Sequence, residues 1–195
     1  MDILLTSLFL VAVAEIGDKT QLLAILLATR FRRPWPIIAG IFAATIVNHA
    51  LAALVGDSLA GVLSGAWFSY AIAASFLAMA IWALIPDRLE EKKQSETKAS
   101  RFGPFATTLV AFFLVEMGDK TQIATVALGA RFHDVPLVAA GTTAGMMLAN
   151  IPAVLFGDRI TRMVPMRMVR LGAAAIFVLL GVWTLIEALH RWVVT

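Results

Sequence analysis

The 195-residue sequence contains no cysteine and little charge. Without cysteine it has no disulfide framework and no thiolate metal site, and it says nothing about the redox compartment. Only 15% of the residues are charged and 60% are hydrophobic, whereas soluble domains carry roughly 25% charged residues. Because most of the charge lies in a few short stretches, the composition indicates an integral membrane protein with charged loops. The formal net charge of +3 is therefore interpreted as basic cytoplasmic loops, not as a nucleic-acid-binding surface.

A polar motif of seven residues occurs twice, each time inside an apolar run. The copies are Glu15–Gln21 and Glu116–Gln122, which lie 101 positions apart and differ only at Ile16 and Met117. Ionisable groups at that depth in an apolar segment are costly and indicate a functional site. Other pairs recur at the same offset: Arg30 and Arg131, Gly40 and Gly141, Gly56 and Gly157. The sequence therefore predicts an internal repeat.

Six segments approach or exceed the roughly 20 apolar residues that a membrane-spanning helix needs. They are Ile3–Ala28, Ile37–Val55, Trp67–Ile85, Phe105–Ala130, Pro136–Phe156 and Leu171–Leu189. Three spans per repeat force the second half to insert upside down. We therefore predict an all-α integral membrane protein with six transmembrane helices arranged as two inverted three-helix repeats, residues 1–85 and 104–195, joined by a charged cytoplasmic linker, residues 86–103.

Details of the helices follow from glycine and from length. The first segment is too long for the hydrocarbon core, which predicts a tilt or a local break near Gly17. Gly56-Asp57 and Gly157-Asp158 are predicted to end the second and fifth helices, because glycine is common just beyond helix ends. Residues 58–66 are then expected to form a short apolar connector.

The distribution of Lys and Arg predicts the orientation. The first, third and fifth loops hold three, five and four of the 16 basic residues, whereas the other loops and the termini hold two. The basic side is expected to be cytoplasmic, which places both termini on the non-cytoplasmic side. A cleaved signal peptide ending near Ala14 is disfavoured, because no basic residue precedes the first apolar run.

The two motifs predict a cation site near the middle of the membrane. The proposed ligands are the carboxylates Glu15, Asp18, Glu116 and Asp119, with the neutral oxygen donors Thr20, Thr121, Gln21 and Gln122 close by. Four carboxylates and two lysines sum to −2, which matches one divalent cation or two protons. Crowded carboxylates in a poorly solvated cavity take up protons when the metal leaves, as an antiporter requires. Oxygen ligands favour hard cations such as Mg²⁺, Ca²⁺ or Mn²⁺.

Other interpretations stay open from the residues alone. The motifs could be structural ion-pair networks, with Glu15 bound to Lys19 and Glu116 bound to Lys120. A small organic solute such as an amino acid is a second possible cargo, although a site dominated by carboxylates argues against it. An intramembrane enzyme is not supported, since the three histidines fall in unrelated places.

Polar residues outside the motifs also have two readings. Asn48, His49 and Asn150 lie within the predicted spans and could orient the ligands of the cation site. Interhelical hydrogen bonds are the favoured interpretation of all three.

Glu15–Thr20 and Glu116–Thr121 both fit E-x-G-D-[KR]-[TS]. In this the sequence resembles the Gdt family of cation/proton antiporters, within the lysine-exporter superfamily, over essentially the whole chain. The resemblance implies exchange of Mn²⁺ or Ca²⁺ for protons, with bacterial members mainly exporting manganese. It also implies that the family's acidic residues fall on Glu15, Asp18, Glu116 and Asp119. The absence of a long N-terminal extension favours the inner (plasma) membrane over the Golgi.

Together these observations predict a multi-pass exporter, not an enzyme. Its cargo is expected to be Mn²⁺, with Ca²⁺ as the alternative, moved in exchange for protons by alternating access. The divalent cation is a transported substrate and no resident cofactor is predicted. The expected partners are the lipid bilayer, the cation and protons, with no nucleic acid; a homodimer stays open.

Overall fold

The computed structural model describes residues 2–63, 65–85, 103–157 and 166–194, and this part of the chain is helical without strands. The helices are α1 (Ile3–Glu15), α2 (Lys19–Phe31), α3 (Pro34–Val62), α4 (Ala66–Ala83), α5 (Pro104–Glu116), α6 (Lys120–Phe132), α7 (Val135–Phe156) and α8 (Met166–Val194). Three of them, α3, α7 and α8, contain segments long and apolar enough to cross a membrane, and α1, α4 and α5 are shorter apolar helices. Asp158 and the predicted linker, apart from Gly103, lie outside the described residues.

The first and fourth predicted spans are each broken at the motif. Helix α1 ends at Glu15 and α5 ends at Glu116, and the next residue in each case has an extended backbone. Gly17 and Gly118 follow with φ angles of +80° and +79°, a region that glycine adopts without steric cost. The predicted break near Gly17 is therefore confirmed, and the second motif has the same break at Gly118.

Gly56 does not end the second predicted span, so that prediction was wrong. Helix α3 runs through Gly56-Asp57 to Val62, and most of the expected connector is a continuation of this helix. A Cβ on Gly56 would overlap the backbone of Val126 in α6, so the glycine serves close helix packing. Gly157, in contrast, has a φ of +65° and ends α7 as predicted.

Helices α4 and α8 occupy corresponding positions in the two halves and run antiparallel. Gly181 in the middle of α8 lies against Ala73 and Leu77 in the middle of α4, whereas Arg170 near the start of α8 shares a cleft with Ala83 at the end of α4. Phe76 and Phe177, which are 101 positions apart, are both buried in the same apolar cluster. This antiparallel pairing is the relation that an inverted repeat requires.

Small residues bring two further pairs of helices together, and both pairs are parallel. Gly141 and Gly145 of α7 lie against Leu4 and Leu8 of α1, in the same order along both helices. Helix α3 accompanies α5 in the same way, since Gly40 lies against Phe105 and the Asn48 side chain donates a hydrogen bond to the Phe113 carbonyl. Each motif helix therefore packs along a long helix of the other half.

Candidate metal-binding site

The two helix breaks bring carboxylates from both halves of the chain together. One oxygen each from Glu15, Asp18 and Asp119 lies within 4.8 Å of the other two. All three side chains are buried, with exposed fractions of 0%, 4% and 3%. Two oxygens bound to one Ca²⁺ at about 2.3–2.6 Å are at most roughly 5 Å apart, so the observed spacing suits a single hard cation.

Glu116, the fourth predicted ligand, is not part of this triad of described acidic residues. It is the last residue of α5, and its side chain is fully buried. It interacts electrostatically with Asp18, Asp119 and Lys19. Its Oε1 atom has no hydrogen-bond partner in the described part of the chain. The same is true of Glu15 Oε1 and Asp119 Oδ2. Buried polar atoms are rarely left without partners, so three open carboxylate oxygens leave capacity for a ligand.

The two motif threonines contact the glutamates. Thr20 donates a hydrogen bond of 2.6 Å from its hydroxyl to Glu15 Oε2, and Thr121 donates one of 3.3 Å to Glu116 Oε2. The Thr20 hydroxyl also lies 3.4 Å from Asp18 Oδ2. A hydrogen bond to a carboxylate fixes the direction of its free oxygen, so the threonines orient the glutamates.

The motif glutamines stabilise the helix breaks by hydrogen bonds to the backbone. The Gln21 amide oxygen accepts from the Gly17 N–H at 2.8 Å, and the Gln122 amide oxygen accepts from the Gly118 N–H at 2.6 Å. Gln21 also donates to the Ala149 carbonyl of α7, at 3.1 Å. Each glutamine thus satisfies a backbone N–H that the interrupted helix leaves without its usual partner.

The lysine of the first motif forms an ion pair with the second motif. Lys19 Nζ lies 2.5 Å from Asp119 Oδ1, so this lysine bonds across the repeats and not to Glu15 as the structural interpretation expected. The broken helix accounts for the difference, because Glu15 and Lys19 no longer share a helical face. Lys120 donates to the Ile85 carbonyl at 3.2 Å and lies 5.8 Å from the centre of the Trp82 ring.

Helix dipoles add to the field at the site. Helices α1 and α5 end at Glu15 and Glu116, so the negative ends of both dipoles lie at the breaks. A carboxyl-terminal helix end favours a cation, and half-helix ends of this kind hold cations in transporters with discontinuous helices. Helices α2 and α6 begin at the same breaks, with Asp18 and Asp119 as their N-cap residues, so the breaks also hold two positive helix ends, each next to a carboxylate.

A cleft of about 70 Å³ borders the first motif. It is lined by Asp18, Lys120 and residues of α4 and α8, including Met79, Ala83 and Arg170. These residues lie where α4 ends and α8 begins, next to the loops that the sequence predicts to be cytoplasmic. Asp18 therefore lines a cleft close to these two predicted loops.

Polar contacts that the sequence did not reveal join helices near the opposite end of α8. The Arg131 guanidinium at the end of α6 lies 2.7 Å from a Glu187 carboxylate oxygen and donates to the Thr184 hydroxyl. His133 lies 3.0 Å from Asp57 of α3. These residues are more than 50 positions apart in sequence, and nothing in the local pattern pairs them.

The intramembrane polar residues outside the motifs behave differently from one another. Asn48 makes an interhelical hydrogen bond to Phe113, as favoured, whereas Asn150 donates to Met146 within its own helix. His49 is fully buried, and neither of its ring nitrogens has a partner in the described chain. His49 and Asn150 are 101 positions apart, so they occupy equivalent places in the two repeats.

Comparison with known proteins also divides the chain into two halves. The family model described as "Divalent cation/proton antiporter GDT1" matches residues 3–91 and, a second time, residues 104–192. A Vibrio cholerae protein named "Putative manganese exporter" is 48% identical over 185 residues, which cover 94% of this chain and 90% of that protein. "GDT1-like protein 5" of Arabidopsis thaliana is 27% identical, with 92% and 93% of the two chains covered. No solved structure matches the chain.

Proposed function

Because the chain belongs to the GDT1 family of divalent cation/proton antiporters, we propose that it exports Mn²⁺ from the cytoplasm in exchange for protons. The observation that carries this proposal is the buried triad of Glu15, Asp18 and Asp119, which draws oxygen ligands from both repeats. The name of the Vibrio cholerae relative supports manganese as the cargo. Ca²⁺ accepts the same ligands and stays the alternative.

Exchange follows from the charge of the site. The four motif carboxylates and two lysines sum to −2, so one divalent cation or two protons neutralise the site. Coulombic repulsion acts on Glu15 from both Glu116 and Asp119. An empty, fully ionised site is therefore unfavourable, and metal and protons compete for the same oxygens.

Alternating access is the proposed mode of transport. The six predicted spans would form two inverted repeats in the inner (plasma) membrane, with both termini outside. The antiparallel pairing of α4 with α8 supports this arrangement. The cleft lined by Asp18, which lies beside the loops predicted to be cytoplasmic, and the Arg131–Glu187 contact at the other end support a conformation open to the cytoplasm.

The test is metal flux in proteoliposomes with a fluorescent metal indicator inside and an imposed proton gradient. Mn²⁺ and Ca²⁺ are added separately, and the Glu116→Gln variant serves as the control. We expect a signal that depends on the gradient and is lost in the control, and the ratio of the two rates identifies the preferred ion. Folded wild-type protein that moves neither ion would instead favour an organic cargo or a structural role for the motifs.

Acidification is expected to weaken metal binding. Ligand carboxylates must be deprotonated to bind metal, so binding releases protons. Because the net charge of the site is −2, two protons leave for each ion bound. The Kd for Mn²⁺ then rises by up to about 100-fold for each unit that pH falls through the titration range. Calorimetry in two buffers of different ionisation enthalpy gives the number of protons released. Binding that is independent of pH would contradict competition at shared oxygens.

The Thr20 hydroxyl is expected to set the geometry of Glu15. Thr20→Val removes a hydrogen bond of 2.6 Å to a buried carboxylate; hydrogen bonds to charged groups contribute about 1.5–3 kcal/mol, which corresponds to roughly tenfold or more in metal affinity. Thr20→Ser keeps the hydroxyl and should retain binding. Thr121→Val removes a weaker contact of 3.3 Å and should cost less. Equal losses in the two valine variants would contradict the assignment.

A further inference from the structure

The ion pair between Lys19 and Asp119 places a positive charge within the candidate metal site. Lys19 is the first residue of α2, and Asp119 is the N-cap of α6, so the pair joins the two breaks. Asp119 belongs to the 4.8 Å triad, and its Oδ1 atom is 2.5 Å from the ammonium. The lysine therefore contacts one of the carboxylates that the cargo needs.

A bound divalent cation and this ammonium are in direct competition. Oxygens that coordinate one ion lie close around it, so a metal in the triad would stand a few ångströms from Lys19 Nζ in its observed position. Like charges at that distance repel strongly in a poorly solvated site. The Asp119 Oδ2 atom has no partner in the described chain, but it belongs to the same carboxylate and does not remove the conflict.

Lys19 also has room to withdraw. About a quarter of its side chain is exposed, whereas Asp119 is almost completely buried. A lysine side chain has a flexible four-carbon stem that can carry its ammonium to a more hydrated position. The cargo can therefore displace the ammonium without displacing the helices.

We infer that Lys19 is a tethered cation that occupies part of the cargo site when the metal is absent and lowers the affinity for the metal when it arrives. This inference rests on the proposed function. By holding Asp119 in the empty state, Lys19 neutralises part of the repulsion among the carboxylates and keeps the two repeats together. By competing with the cargo, it prevents the site from retaining the ion, which speeds release.

The test compares Mn²⁺ binding and transport in purified wild-type protein, Lys19→Met and Lys19→Arg. Removal of a nearby unit charge is expected to tighten Mn²⁺ binding by about tenfold or more, while the rate of release in proteoliposomes falls. Lys19→Arg keeps the charge, so it should bind Mn²⁺ more weakly than Lys19→Met does. A purely structural ion pair predicts the opposite sign, because loss of the pair would loosen the site and weaken binding. Binding is followed by calorimetry, with thermal unfolding as the check on folding.

The outcomes separate this inference from the proposed function. Wild-type protein that neither binds nor transports Mn²⁺ overturns both. Wild-type binding with equal or weaker binding by folded Lys19→Met overturns only the role of Lys19. Lys19→Gln is the second neutral variant, and loss of folded protein in both neutral variants would assign the lysine to structure and also overturn the inference.

Discussion

Neutralisation of a single carboxylate in the triad is expected to abolish metal transport. In Glu15→Gln or Asp119→Asn an oxygen remains at the same place, but one negative charge is lost. The net charge of the site is then −1, which no longer neutralises a divalent ion. Charge and number of ligands set the affinity of oxygen sites for hard cations. Changes to residues that merely support metal ligands already cost 10–100-fold, so loss of a ligand charge should lower the flux by at least about 100-fold.

Glu15→Gln should leave the protein folded. Glu15 is fully buried and is repelled by Glu116 and Asp119, so the neutral glutamine relieves repulsion and the unfolding temperature should stay equal or rise. Asp134→Asn is the matched control. Its carboxylate caps α7 by accepting from the Leu137 N–H, and asparagine caps helices equally well. Flux at the wild-type rate in both triad variants would show that the site lies elsewhere.

Enlargement of Gly56 is expected to have the largest effect on stability. A Cβ at this position would overlap the Val126 carbonyl and the Ala130 N–H of α6. These are backbone atoms, so they cannot avoid the overlap by a change of side-chain rotamer. Helices α3 and α6 must therefore move apart, and α6 carries Asp119 at its N-terminus. Overpacking typically costs about 1–3 kcal/mol and occasionally more; Gly56→Leu should reach the upper end of that range or exceed it.

Gly61 offers a control within the same helix. A Cβ at Gly61 meets no atom within 4 Å, so Gly61→Leu adds the same side chain in open space. The measurement is thermal unfolding of the purified variants in detergent, together with the yield of monodisperse protein. Gly56→Leu should unfold at a clearly lower temperature than the wild type, whereas Gly61→Leu should match it. Equal unfolding temperatures for the two variants would contradict the close α3–α6 packing.

The structural interpretation of the motifs makes a different prediction from the transport interpretation. The Lys19–Asp119 pair does join the two halves, so a role in holding the helices together is part of the site in either case. A site that also binds cargo must be stabilised by the metal, because a ligand that binds only the folded state raises its stability. Unfolding measured with and without Mn²⁺ therefore distinguishes a transport site from a purely structural network.

The sequence by itself determined the local chemistry. The motif contents, their repetition at an interval of 101 residues and the low charge of their flanks were enough to predict a helical membrane protein with a carboxylate site. The break near Gly17 was predictable as well, since a glycine-containing helix longer than the bilayer must tilt or break, and Gly17 adopts the positive φ that glycine allows.

Only the tertiary structure decided which of these groups meet. It brought one oxygen each from Glu15, Asp18 and Asp119 within 4.8 Å of one another, and it paired Lys19 with Asp119 across the repeats. It also turned Gly56 from a predicted helix end into a packing contact. Local pattern could not reveal these outcomes, because each depends on the relative position of helices from different halves of the chain. That position is set by the close packing of small residues along the whole length of the helices.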